Sequence, residues 1–288
     1  MYADAIFGTP LFDAGVFFMG LLIGSFLNVV IYRLPLRLEF EWQSQCAEML
    51  ELEGPASSAP PSIVRGRSFC PHCRRQITAF ENIPLLSWLF LRGKCPGCKG
   101  AISKRYPIVE LLTGLLFLLM AWRFGPSLAC LAALVFVAYL VALSGIDFDH
   151  QLLPDSLTLQ FLWLGLLVSL TGVFTSATDA IIGAAAGYLA LWVVYHLFKL
   201  LTGKEGMGFG DFKLLAGLGA WMGWQSLPEI IFLSSVVGAV TGILLMTLRR
   251  RDRNIPIPFG PFLAIAGLIS LVWGEDLSTA YFRMLGLN

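Results

Sequence analysis

Charged residues are scarce in this sequence. Asp, Glu, Lys and Arg make up 14% of its 288 residues, against about a quarter in soluble globular domains. Mean hydropathy is +0.74. An ordinary soluble domain of this length is therefore excluded. Histidine is also sparse: His72, His150 and His196 are the only three, and none sits in a nucleophile pattern. Neither GxSxG nor HExxH occurs, which sets aside serine-hydrolase and zinc-protease chemistry of those types. No glycine-rich nucleotide loop of the soluble type follows a strand. No convincing internal repeat appears, which weakens a transporter reading.

Apolar runs are abundant. A bilayer core needs about 20 apolar residues per helix, and runs near that length recur. Residues 11–32, 107–124, 128–146, 157–174, 179–200, 212–225, 228–248 and 258–273 read as spans, the sixth and eighth being short. The expected fold is an all-α polytopic membrane protein of about eight transmembrane helices. Its first run does not read as a cleavable signal, because Asp4 precedes it and Asp13 lies at its start while Arg33 and Arg37 follow. Cationic residues cluster in alternate connections. With the N-terminus outside, 18 of the 20 Lys and Arg fall on the inner side, and only Arg123 and Arg283 do not. The positive-inside rule then sets the orientation.

One long polar stretch interrupts the apolar runs, residues 33–106. Its part from Glu39 to Pro61 is acidic, then Ser-, Ala- and Pro-rich, and reads as a partly flexible connector. Cys70, Cys73, Cys95 and Cys98 follow as two CxxC pairs 21 residues apart. Two such knuckles suit tetrahedral thiolate coordination of one zinc ion. Four sulfurs leave no open position, so the zinc is expected to be structural. His72 lies inside the first knuckle as a further possible ligand, whereas Cys46 and Cys130 lack partners. The expected division is a first transmembrane helix at 11–32, a cytoplasmic zinc loop at 33–106 and a membrane core at 107–288.

Carboxylates occur at two places at the ends of apolar runs. Asp147, Asp149 and Asp155 lie between the third and fourth spans; Glu205 and Asp211, the latter 64 residues after Asp147, form a second group beside Lys213. The orientation puts both groups at the inner membrane face. Acidic groups at that depth are functional candidates. Two close carboxylates share a proton, so one can take a proton from water while the other donates one. That is aspartic-protease chemistry. Gly206, Gly208 and Gly210 are expected to let the chain turn sharply before Asp211 and to let a peptide approach. Asp211 and Asp155 could instead be plain helix caps, and Lys213 an anchor. The same carboxylates could serve a proton- or ion-coupled transporter, or the knuckles could belong to a scaffold subunit.

Several stretches together resemble one family, the bacterial type IV prepilin peptidases within the GxGD intramembrane aspartic proteases. They are GSFLNVVIYRLP at 24–35, the four-cysteine loop, IDFDHQLLPD at 146–155, GKEGMGFGDFKLLAGLGAWMGWQ at 203–225 and PIPFGPFLAIAG at 256–267. The resemblance covers nearly the whole chain. It implies catalytic aspartates at Asp147 and Asp211, a choice that spacing alone leaves open among 147, 149 and 155. It also implies zinc on the four cysteines. The implied substrates are prepilins and type II secretion pseudopilins with a basic leader and a following hydrophobic helix, cut after glycine at the cytoplasmic face of the inner membrane. N-methylation of the new terminal residue, usually phenylalanine, by S-adenosylmethionine is implied too. No residue for the methyl donor is assigned, although the cytoplasmic loop, Glu205 and Lys213 are within consideration.

Overall fold

The computed structural model describes residues 10–52, 54, 59–63, 66–204, 206–249 and 258–284. Among them the secondary structure is helical: α1 Pro10–Met49, α2 Leu86–Phe90, α3 Arg105–Phe124, α4 Leu128–His150, α5 Asp155–Ser169, α6 Ala177–Thr202, α7 Phe209–Met222, α8 Leu227–Arg249 and α9 Gly260–Met284. The eight longer helices answer the eight apolar runs. Among the described residues, six stretches are long and apolar enough to cross a membrane, on α1, α3, α4, α6, α8 and α9. The other two are shorter, 15 residues in α5 and 14 in α7. Large apolar side chains such as Phe18, Leu131, Trp163, Ile181 and Phe232 face outward. Lipid, rather than water, suits such surfaces.

The first helix departs from expectation. It does not stop near residue 32 but runs 40 residues to Met49, through Pro35. The acidic connector is thus helical over its first eleven residues, Glu39 to Met49. Its Glu, Gln, Ala, Leu and Met residues are good helix formers, and Arg37 pairs with Glu41 one turn on.

The chain divides into two compact units, Met1–Cys130 and Leu131–Asn288. Helix α3, which starts at Arg105, belongs to the first unit. Small residues explain this. Gly20 and Gly24 of α1 form a GxxxG step against α3. A Cβ on Gly20 would come within 2.8 Å of the Gly114 Cα, and one on Gly24 within 2.8 Å of the Glu110 Cα. Because 20 meets 114 and 24 meets 110, the two helices are antiparallel. Where lipid removes the hydrophobic drive, such close packing is what joins helices. Asn28, buried, ties the same end by donating to the Tyr106 carbonyl at 3.1 Å.

In the second unit α7 is the central element. Asp211, Phe212 and every residue from Leu214 to Trp221 are buried. Helix α6 reaches it through another GxxxG step: a Cβ on Gly187 would meet the Leu215 carbonyl oxygen at 2.7 Å. Helix α5 packs on it through Phe161, whose ring lies 5.6 Å from Trp221 in a stacked pair, with Phe136 of α4 5.3 Å from Trp221. The Trp221 indole N–H is satisfied by the Phe161 carbonyl at 2.9 Å, as a buried indole requires. This packing fixes where α7 begins, and hence where Asp211 sits.

Candidate active site and metal centre

The sulfur cluster is built from local backbone. At Cys70 the amide donates to the Arg75 carbonyl (2.9 Å) and Arg74 N–H returns to the Cys70 carbonyl (2.9 Å). Cys95 repeats the pattern with Gly100 (2.8 Å) and Lys99 (2.9 Å). Each turn is closed by an isolated antiparallel bridge, Phe69 with Gln76 and Lys94 with Ala101. Each also holds a non-glycine residue at positive φ, Arg74 at 56° and Lys99 at 60°. The two knuckles are thus copies of one turn, facing each other.

All four sulfurs lie within 4.8 Å of one another. Cys70 Sγ is 3.8 Å from Cys98 Sγ, and Cys73 Sγ is 4.0 Å from Cys95 Sγ. A tetrahedral zinc with Zn–S near 2.3 Å separates its sulfurs by about 3.8 Å. The four thiols therefore fit a structural zinc ion. Backbone N–H groups of Cys98 and then Gly97 aim at Cys95 and pull its thiol down to about 6, while at Cys98, against the Gly100 N–H, desolvation and the surrounding thiols push the thiol up to about 11; a bound metal would take all four as thiolates. His72 stands against Gly100 and is outside the sulfur group. Cys46 is exposed on α1, and Cys130 is buried at the start of α4. Arg75 and Glu81 brace the loop at 2.9 Å, and the guanidinium holds the Glu81 carboxyl down at about 2.

The second unit brings two of the carboxylates together. Asp147 lies in the last turn of α4, 5% exposed. Helix α4 ends at His150; Gln151 follows at φ 52° and Pro154 stops any continuation. Asp149 and Asp155 are exposed. Asp155 is the first residue of α5, not its cap, and its Oδ1 accepts from the Lys213 ammonium. Asp211 is 7% exposed in the first turn of α7, whose cap is Gly208. It is not a cap residue, and its Oδ1 is buried with no hydrogen-bond partner. Both carboxylates flank Leu153: a Cβ on Gly210, next to Asp211, would lie 2.6 Å from its Cβ, and one on Gly260 would meet Asp147 Oδ2 at 2.6 Å and Leu153 Cδ1 at 3.2 Å.

Glycine serves this site by its size rather than by positive φ. Gly206, Gly208 and Gly210 are absent from the positive-φ residues. Instead, a Cβ on Gly210 would lie 2.6 Å from the Leu153 Cβ. Leu153 is buried between α7 and the start of α9. Glu205 lies outside the described residues, as do Pro256 and Ile257 of the last motif.

Gly260 is the residue that the sequence reading missed. It opens α9, and its N–H donates to Asp147 Oδ2 at 2.9 Å across 113 residues of chain. A Cβ there would meet that oxygen at 2.6 Å. The signal lay in the quoted PFGP segment, where glycine at a helix start between two prolines was not given a task. Glu110 was missed as well. It is a buried carboxylate inside an apolar run, accepting from the Leu85 N–H at 2.9 Å, and that position alone should have marked it.

These features define a class: an integral membrane protein with a helix-borne pair of buried aspartates and a four-cysteine metal centre. The comparisons narrow it. Residues 18–124 match the bacterial peptidase A24 N-terminal domain, and residues 134–243 match the type IV leader peptidase family. The prepilin leader peptidase/N-methyltransferase of Stutzerimonas stutzeri is 57% identical over 93% of both chains. Its counterpart in Pseudomonas aeruginosa is 53% identical over 94% of this chain and 93% of its own. That of Legionella pneumophila is 47% identical over 91% of both. No solved structure matches. The chain belongs to the type IV leader peptidase family, as the resemblance of its motifs implied. Nothing in these likenesses favours a transporter or a scaffold.

Proposed function

We propose that Asp147 and Asp211 are the catalytic pair of a prepilin leader peptidase that is also an N-methyltransferase. The observation that carries it is the burial of these two carboxylates at the facing ends of helices α4 and α7, both against Leu153, while Asp149 and Asp155 stay exposed. The pair holds one proton. Its ionised member takes a proton from water as the water oxygen attacks the scissile carbonyl carbon. Its protonated member hydrogen-bonds the carbonyl oxygen, and a proton then passes to the leaving amine as the C–N bond breaks. Gly260 fixes the angle of Asp147 through its N–H. Asp211 Oδ1, unpartnered, is free for water or the peptide.

The substrates are prepilins and pseudopilins with a basic leader and an apolar helix, cut after glycine. The names of the relatives support the prepilin class. Placement in the bacterial inner membrane, N-terminus outside, rests on the cationic residues crowded into alternate connections. A basic leader would then stay with the cytoplasm beside the aspartates. S-adenosylmethionine supplies an electrophilic methyl group for the new N-terminal amine. Zinc, held by Cys70, Cys73, Cys95 and Cys98, has no open position and gives the loop its shape.

The test uses purified protein, a prepilin-like peptide with a Lys-rich leader ending in Gly-Phe, and methyl-labelled S-adenosylmethionine. The expected result is cleavage after glycine and label on phenylalanine, with cleavage lost in Asp147→Asn and Asp211→Asn. Cleavage without label would remove the methyltransferase half. Cleavage surviving in either variant would remove the aspartate assignment.

A further inference from the structure

The first unit encloses a cavity of about 440 Å³, within the about 300–1,000 Å³ usual for small-molecule sites. Its floor is the end of the α1–α3 hairpin, with Asn28, Tyr32, Tyr106 and Glu110. One wall is the metal centre itself, through Cys70, Pro71, Cys95 and Pro96. The other is α2, through Trp88. None of these residues belongs to the aspartate site.

Its chemistry is specific. Tyr32, Trp88 and Tyr106 supply aromatic faces, which stack on a flat base and attract a cation. Trp88 is held in place, its indole N–H donating to the Ile102 carbonyl at 3.3 Å. The cavity has one buried acid. Glu110 is 7% exposed and takes hydrogen bonds from the Leu85 N–H and the Ser25 hydroxyl. Among the described residues no Lys or Arg pairs with it. The cavity's cations are otherwise engaged: Arg33 donates to the carbonyls of Ser62, Gly66 and Arg67, and Arg75 pairs with Glu81. A buried carboxylate without a cation is costly unless a ligand brings one.

We infer that this cavity binds the methyl donor, a nucleoside carrying a cationic sulfonium and an amino-acid tail, with Glu110 as the counter-charge to its cationic half. The inference rests on the methyltransferase reading above. Aromatic faces take the base, and the carboxylate takes the positive charge. Because the sulfur cage forms one wall, the metal is linked to this half of the enzyme rather than to the aspartates. The assignment also gives α2 a purpose, since this five-residue helix carries Trp88 to the cavity.

The experiment is equilibrium binding of labelled S-adenosylmethionine to full-length protein in detergent, with bound zinc measured on the same samples. Glu110→Gln keeps the acceptor for Leu85 but removes the charge. It should weaken binding by at least about tenfold, as expected for a charged hydrogen-bonded contact. Ser103→Trp, at an exposed position on the cavity's lining, should block it to a similar degree. This second variant carries the test if Glu110→Gln loses its zinc. Wild-type binding that survives both substitutions in zinc-replete protein overturns the site alone. Wild-type protein that neither binds the donor nor transfers label removes the methyltransferase reading, and the site with it.

Discussion

The two sites of this chain are made in opposite ways. The sulfur cage is assembled from two turns, each closed by backbone hydrogen bonds that span five residues, Cys70 to Arg75 and Cys95 to Gly100. The aspartate pair depends on three helices whose contributions are far apart in sequence: Asp147 from α4, Asp211 from α7 and the Gly260 amide from α9. Local turns make the first site tolerant of changes elsewhere. The second inherits every error in how α4, α7 and α9 pack. A cage with its own hydrogen bonds can be lost alone, whereas an assembled pair is lost whenever one helix shifts.

That contrast can be broken or sharpened by substitution. The largest effect outside the aspartates is expected at Gly260. In Gly260→Ala the new Cβ presses on Asp147 Oδ2 and Leu153 Cδ1, at 2.6 and 3.2 Å before any relaxation. Misplacing a reacting group by an ångström costs about 10²-fold, so cleavage should fall by that order while bound zinc is unchanged. Retained cleavage would mean that the Gly260 contact does not position the carboxylate.

A middle effect is expected at the cage. Cys70→Ser, or a strong chelator, should release the metal and lower methyl transfer by about tenfold more than cleavage, since structural zinc supplies folding energy to its own loop. Equal loss of both activities would show that the two regions are not separable in this way. Protein that carries no zinc when purified and is indifferent to chelators would remove the metal from the account.

The smallest effect is expected at the Asp155–Lys213 pair beside the site. Asp155 is largely exposed, and such pairs contribute about 0–1 kcal/mol. Asp155→Asn should leave cleavage within about fivefold of wild type by the same measure. A large loss there would give the exposed aspartate a direct part in catalysis.

Legibility followed the same division. Cysteine spacing and the residues between the cysteines were enough to specify a four-thiol cage, because its hydrogen bonds are local. Apolar runs were enough for the eight longer helices, although the end of α1 was misread where good helix formers were also acidic. The pairing of Asp147 with Asp211 came from resemblance, since spacing could not separate Asp147 from Asp149 or Asp155. What separates them is burial by α7 and α9, a property of packing. Gly260 was missed for the same reason: glycine is needed there because a Cβ would meet Asp147 Oδ2 at 2.6 Å, a contact made only by packing elements 113 residues apart. Glu110 could have been read, because an acid inside an apolar run is conspicuous.

The central claim is that Asp147 and Asp211 act as one unit, and a four-way comparison tests it. Cleavage of the prepilin-like peptide would be measured for wild type, Asp147→Asn, Asp211→Asn and the double variant. Each single change should cost at least about 10²-fold, and the double variant should be no worse than the weaker single one, as for groups that work together. A single variant that cleaves near the wild-type rate, or losses that multiply in the double variant, would contradict it.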